Sequence, residues 1–334
     1  MDVNPAAGIK DTTTSMLGLN HIGLSVKNLD EMLEFYKEAT SFELVNRATI
    51  THNDDADLLF GHPGVTCEVA VLKAPNMLFE LTEFKHNKTV SSERMPPQGP
   101  GMTHTCFQSP DGDPGWDKFM KAGAVPLSRG GKPIDLGGYG VTYGYAYDPD
   151  GNMMELEQLD GEMLSRGGYD MTWKDLGEAM WMSQVALVTH DIDHLMEFYQ
   201  GVLGFQPYRK AALKDNIRAD EIANIENLHI LGGWFKMNEA SKVIEIWQYV
   251  NPVTPEFKGE RDVTDLGYSF SLEVSDIQKE YERLKGLGLE FVSEPVKLGE
   301  FWQAYTRDVD GNVFSLRQAV DADSELSVRQ LDNS

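Results

Sequence analysis

The chain repeats itself, and that constrains its fold more than any other feature of the sequence. Asn20 to Tyr36 reads NHIGLSVKNLDEMLEFY, and Ser183 to Tyr199 reads SQVALVTHDIDHLMEFY. Each segment spells a β-branched strand, a turn with aspartate, and an amphipathic helix ending in Glu-Phe-Tyr. Asp148 to Leu156 (DPDGNMMEL) returns as Asp308 to Leu316 (DVDGNVFSL), both Asp-Gly turns feeding an apolar strand. Strand–helix patterns also begin near Thr103 and Ser269. The result is four similar strand–helix–strands modules at roughly 18–88, 100–160, 180–251 and 264–320.

Alternation sorts the faces. On the first strand His21, Gly23 and Ser25 point one way, while Ile22, Leu24 and Val26 point the other. In the helix that follows, Asn28 or Asp30 supplies the cap and Leu29, Met32, Leu33 and Tyr36 form the apolar stripe. His104, Cys106 and Gln108 share one face of the strand near Thr103.

The expected organisation is a disordered tail at 1–17, an N-terminal domain at 18–160 and a linker at 161–179. A C-terminal domain at 180–320 and an acidic tail at 321–334 complete it. With 334 residues, each half is long enough to bury a core of its own. The formal net charge of −24 disfavours nucleic acid and anionic membranes as partners. No apolar run is long enough for a membrane span, and Met1 to Ser15 lacks a signal-peptide stretch. Cys67 and Cys106 are too few for a disulfide framework and read as reduced thiols, so the expected location is cytoplasmic.

Paired βαβββ modules with His on a first strand and Glu on a last strand beside a DPDGN turn resemble the vicinal oxygen chelate superfamily. It includes glyoxalase I, methylmalonyl-CoA epimerase, antibiotic-resistance proteins and extradiol dioxygenases. The resemblance implies an α+β fold of four βαβββ modules, paired into two half-open barrels whose inner faces supply metal ligands. Carried onto this sequence, the ligand positions are His21, Glu80, His104 and Glu155. The residues support the assignment independently: an apolar strand such as Met77–Leu81 has no packing reason to bury a carboxylate, and coordination would offset the cost. Imidazole with carboxylate suits one divalent Zn, Fe, Ni, Co or Mn ion. The matching positions in the second half are Gln184, Glu245, Ser269 and Ser315, which mark a degenerate copy.

Neighbours in sequence usually neighbour in space, so modules one and two are expected to pair, and three with four. The other pairing, two with three, would set His104 and Glu155 against Gln184 and Glu245. The wall predicted by alternation is Ser25, Leu78, Thr82, Cys106, Gln108 and Met153. Gly130, Gly131, Gly137, Gly138 and Gly140 mark a surface connection before Val141, with a lid as its functional alternative. Asn87-Lys88-Thr89 is a glycosylation sequon without relevance inside a cell.

The reaction expected first is that of a metal-dependent lyase, isomerase or epimerase. It would act on a small substrate with vicinal oxygens through an enolate-type intermediate, with Glu80 or Glu155 moving the proton. A ring-cleaving non-haem Fe(II) dioxygenase is the alternative. For it His21, His104 and Glu155 would form the triad with Tyr145 nearby, although Leu136 to Gly144 contains no acid–base histidine. A small-molecule binding or resistance protein is the third reading, and a homodimer is the expected assembly.

Overall fold

A computed structural model describes residues 13–85, 94–167, 177–237 and 243–331. Module one comprises β1 (Met16–Ser25), α1 (Leu29–Thr40), β2 (Glu43–Ile50), α2 (Asp54–Phe60), β3 (Cys67–Lys73) and β4 (Leu78–Phe84). Module two comprises β5 (Gly101–Ser109), α3 (Gly115–Ala122), β6 (Val125–Pro126), β7 (Ile134–Asp135), β8 (Val141–Tyr147) and β9 (Met153–Leu159). A short α4 (Gly161–Arg166) follows. Module three comprises β10 (Trp181–Val188), α5 (Ile192–Leu203), β11 (Arg209–Lys214), α6 (Ile217–Ala223), β12 (His229–Lys236) and β13 (Val243–Asn251). Module four comprises β14 (Gly267–Val274), α7 (Ile277–Gly286), β15 (Val296–Leu298), β16 (Phe301–Arg307) and β17 (Val313–Ala319), and the chain continues into α8 (Val328–Leu331).

The expected local elements form, and their caps explain where. Asn28 accepts from Glu31 N and starts α1; Asp191 accepts from His194 N and starts α5. Ser41 and Gly204 close the two helices in the left-handed conformation. In every module the first and last strands are parallel neighbours, with the helix as crossover.

The pairing of modules is the main correction. An eight-stranded sheet runs β15-β16-β17-β14-β1-β4-β3-β2, and a nine-stranded one contains β11-β12-β13-β10-β5-β9-β8-β6 with β7 on β8. Modules one and four therefore build the first barrel, and modules two and three the second. The first strands meet antiparallel at each centre: Gly23 opposite Ser269, Ala186 opposite His104. The halves 18–160 and 180–320 are thus not separate barrels, because each sheet takes one module from each half.

Sequence neighbours do meet, but back to back. The apolar faces of both sheets and helices α1, α3, α5 and α7 share one core. Phe35 of α1 meets Phe119 of α3 at 6.0 Å, and Phe198 of α5 meets Phe314 of β17 at 6.3 Å. Buried hydrogen bonds repeat the relation: Tyr36 donates to Asp148 and Tyr199 to Asp308, each 2.9 Å. Burial pushes both aspartates up to about 6, although Asn152, Asn312 and the tyrosines oppose the shift.

The expected tails and linker are also shorter than drawn. Ser15 is buried and donates to Glu280, so β1 starts inside the 1–17 segment. Of the 321–334 segment the described part, 321–331, docks through Leu331 and through Ser327, which donates to Glu273. Residues 161–166 of the expected linker are helical, while 168–176 lie outside the described residues, as does the sequon at 87–89.

Candidate metal centre

The pairing decides which polar side chains converge. His104 sits on β5 and Glu155 on β9, where Cys106 is opposite Glu155. Gln184 sits on β10 and Glu245 on β13, where Ala186 is opposite Glu245. The antiparallel β5–β10 contact brings these four together inside the second barrel. His21 and Glu80 lie in the other sheet, so the set His21, Glu80, His104, Glu155 does not assemble. The expectation failed because it joined ligands along the chain instead of across the central strand pair.

In the second barrel His104 Nε2 lies 3.6 Å from Glu155 Oε2 and 3.6 Å from Glu245 Oε2. Gln184 Nε2 donates to both carboxylates, at 2.7 and 3.1 Å. Ligand atoms of His104, Glu155 and Glu245 all fall within 4.8 Å of one another. All four side chains are buried, yet His104 Nε2 has no hydrogen-bond partner. Such an orphan costs free energy unless something else fills the gap.

Neighbours hold the set in place. Thr103 Oγ1 lies 2.9 Å from His104 Nδ1, which turns Nε2 towards the carboxylates. Trp234 Nε1 donates to Glu245 Oε1 at 2.6 Å, and Ser183 Oγ binds Gln184 Oε1 at 2.8 Å. Trp234 reaches Glu245 by crossing edge-on over Trp247, 5.0 Å away. Gly232 allows this, since a Cβ there would come within 2.6 Å of Trp247 and 2.7 Å of Trp234.

The electrostatics are those of a site short of positive charge. Burial alone would push the His104 imidazole down, but Glu155 and Glu245 outweigh it and hold it up at about 9. Burial, then the Glu245 charge, raises Glu155 despite His104. Glu157, hydrogen-bonded to Gln108, is pushed well above the carboxylate range by burial and by Glu155. A cavity of about 340 Å3 opens onto this cluster, walled by Gln108, Tyr143, Tyr145 and Tyr249. Leu136 and Tyr139 of the glycine-rich loop also line it. The Tyr145 ring lies 5.2 Å from the His104 ring.

The first barrel has the same frame and different contents. His21 Nε2 is 3.7 Å from Glu80 Oε1, but Arg317 closes the space. Its Nη2 donates to Glu80 Oε2 at 3.1 Å, and its Nη1 lies 3.1 Å from His21 Nδ1 and 3.2 Å from Asn20 Oδ1. Burial pushes His21 down to about 4, and its Nδ1 also lies 3.0 Å from Asn20 Oδ1. Glu80 stays below the usual carboxylate range because His21 and Arg317 together overcome its burial. Ser269 stands opposite Gly23, where a Cβ would collide with its Oγ, and Ser315 donates to Ser271 at 2.9 Å. The adjoining cavity measures about 450 Å3.

Of the wall expected from alternation, Ser25, Leu78 and Thr82 line this cavity and Gln108 lines that of the second barrel. Met153 borders a separate pocket between the sheets, and Cys106 is buried beside Glu155 and Glu157. Sequence reasoning placed Gln184 and Glu245 in a degenerate copy and missed Arg317 and Trp234. The signal for Arg317 was its place two residues past Ser315, matching Glu157 past Glu155.

The model of the Glyoxalase/Bleomycin resistance protein/Dioxygenase superfamily matches residues 18–156 and 181–316. A point mutant of glyoxalase I from Zea mays has a TM-score of 0.60 at 20% identity, covering 93% of this chain and 95% of that one. A putative dioxygenase from Bacillus subtilis subsp. subtilis str. 168 has a TM-score of 0.58 at 13% identity, covering 92% and 86%. At these identities the likeness is one of fold. A 45-residue stretch is 49% identical to the uncharacterized protein YurT of Bacillus subtilis (strain 168). That match covers 14% of this chain and spans only 35% of the relative's length. Among the described residues no helix is long and apolar enough to cross a membrane.

Proposed function

The chain belongs to the glyoxalase/bleomycin resistance protein/dioxygenase superfamily, and from that premise we propose that its second barrel is the working site of a divalent-metal-dependent lyase, isomerase or epimerase. The substrate is a small molecule with vicinal oxygens. The observation that carries this reading is the convergence of His104, Glu155, Gln184 and Glu245 on buried space that leaves His104 Nε2 unpartnered. One imidazole, two carboxylates and an amide oxygen suit Zn, Ni, Co, Mn or Fe. Gln184 presents that oxygen by rotating its amide, after which Ser183 Oγ accepts from the NH2 group instead of donating.

A divalent ion held there supplies Lewis-acid polarisation of a substrate oxygen. The protein's own residues do the rest. Glu155, which lines the cavity, is the proton carrier: it takes a proton from the carbon beside a carbonyl and returns it to the neighbouring carbon. Nothing is oxidised in that exchange. Trp234 and Thr103 orient Glu245 and His104, and the buried tyrosine wall keeps water from competing for the proton. Glu80 has no part in this chemistry, since Arg317 holds it in the other barrel.

The ring-cleaving alternative needs two imidazoles beside a carboxylate. The convergent set offers only His104, with His21 in the other sheet, which favours the redox-neutral reading. Elemental analysis of anaerobically purified protein tests it. The expected result is about one ion per chain, lost in His104→Ala, Glu155→Ala and Glu245→Ala and kept in His21→Ala and Glu80→Ala. Loss in His21→Ala with retention in His104→Ala would overturn the assignment. Uptake of solvent deuterium into product, absent from metal-stripped enzyme, tests the proton transfer.

A further inference from the structure

The second barrel carries a row of inner-face residues that the first barrel lacks. Ladder register sets Glu245 of β13 opposite Trp234 of β12, and Trp234 opposite Arg209 of β11. On β11 exposure alternates: Arg209, Ala211 and Leu213 are half-buried, whereas Lys210, Ala212 and Lys214 are exposed. Arg209 and Leu213 line the cavity beside the His104 cluster, so the half-buried face is the inner one. Trp234 joins the two ends of the row. Its Nε1 donates to Glu245, and Arg209 Cζ lies 4.3 Å from the centre of its ring. In module one the same places hold Val71, opposite Glu80, and Asn46, opposite Val71. The arginine thus accompanies the convergent ligand set and is missing where that set is missing.

The charge of Arg209 is not answered by the protein. No described residue forms an ion pair or a hydrogen bond with its side chain. Lys210, next along the strand and facing outwards, lies 3.8 Å from Asp193. Arg209 Nε is buried, so the part of the guanidinium that keeps exposed surface is its Nη end. Two Nη groups side by side form a fork that matches both oxygens of one carboxylate. The carboxylates of the wall, Glu155, Glu157 and Glu245, all belong to strands beyond Trp234 in the sheet order. Their repulsion acts twice on a dianion and once on a monoanion, which favours a single negative charge.

We propose that the substrate of the second barrel carries one carboxylate, held by the Nη end of Arg209 two strand spacings, about 10 Å, from Glu245. The inference rests on the second barrel being the reaction site, and it makes Arg209 the residue that selects an acid over its uncharged counterpart. Trp234 then has two tasks, orienting Glu245 through its edge and supporting Arg209 on its face.

The test is a calorimetric titration of the metal-free full chain with 4-acetylbenzoate and with uncharged 4-acetylbenzamide. Each probe sets a carbonyl and the test group at opposite ends of one ring, and leaving metal out keeps the carboxylate from binding an ion instead. The acid is expected to bind with a dissociation constant of about 1 mM or less, at least about tenfold more tightly than the amide. Arg209→Gln should remove that preference and leave the affinity for the amide within about threefold. Arg209→Lys, which keeps the charge without the fork, should retain part of it. Lys236→Gln, which removes the other cation on the wall, should leave the preference in place. Equal binding of the two probes, no measurable binding of either, or a preference that survives Arg209→Gln would each overturn the proposal. So would a preference lost in Lys236→Gln alone. Elemental analysis of the wild-type chain separates the two readings. Metal bound without a preference for the acid sinks the role of Arg209 alone, whereas no metal with the preference present sinks the metal assignment and leaves carboxylate recognition standing.

Discussion

The two barrels are built on one frame, with matching registers at the central strands and the same helix crossovers, and they differ at a handful of inward positions. In the second barrel His104, Gln184, Glu155 and Glu245 face one another, and Glu157 adds a third carboxylate. In the first, two of the four places are serine, and Arg317 stands where the other has Glu157. A cluster short of positive charge must import a cation. A cluster that contains a guanidinium has no need of one. The first barrel is thus not an empty counterpart of the second, because the same frame holds a side chain that closes the charge balance internally.

Exchanging that balance should give the largest effect. Arg317→Ala leaves Glu80 buried without its partner and is expected to lower stability by about 3–5 kcal/mol. Glu157→Ala, at the matching position, is expected to change it by less than about 1 kcal/mol, because that carboxyl is already disfavoured by burial. Denaturant midpoints for the two variants compare them directly; equal losses would mean the barrels are not balanced differently.

Next in size is the effect on metal. Trp234→Phe removes the donor that orients Glu245 and should weaken metal binding about 10–100-fold. Phe301→Leu, in the first barrel, should leave it unchanged. Competition with a chelator reads both, and a loss in Phe301→Leu would mean the barrels are coupled.

The smallest expected difference tests what the two barrels share. Asp148 and Asp308 each hold a proton up to about pH 6 in the folded chain, whereas an unfolded aspartate loses it near 4. Between those values the unfolded state binds fewer protons, so each residue's contribution to stability is present at low pH and is lost as pH rises through about 6. Asp148→Asn and Asp308→Asn should each flatten that fall, to within about 0.5 kcal/mol of each other. Denaturation across the window at several pH values measures it, and unequal flattening would show that the two back-to-back contacts are not equivalent.

Much of this was legible in the residues. The β1 alternation, the Asn28 cap and the four module boundaries follow from periodicity, and the inward positions follow from the repeat. The pairing was not legible, because all four first strands carry one polar and one apolar face and so offer similar edges. What distinguishes the arrangements is the meeting of two motifs that the sequence shows separately: Tyr36 with Asp148, and Tyr199 with Asp308. A repeat states that such residues recur and leaves open that they bind each other. The place of Arg317 could be read from the repeat but its role could not, since that depends on Glu80, which lies far away in sequence and reaches it through the β1–β14 junction.

That junction also imposes an order in time. The second barrel joins β5 to β10, which starts some 70 residues after β5 ends. The first barrel joins β1 to β14, which leaves the ribosome some 240 residues after it. At ordinary elongation rates β1 waits roughly 10–50 s for its partner, with an unpaired strand edge exposed. The barrel proposed to hold metal can therefore close before β14 is made, whereas the arginine-filled barrel closes only after module four has followed.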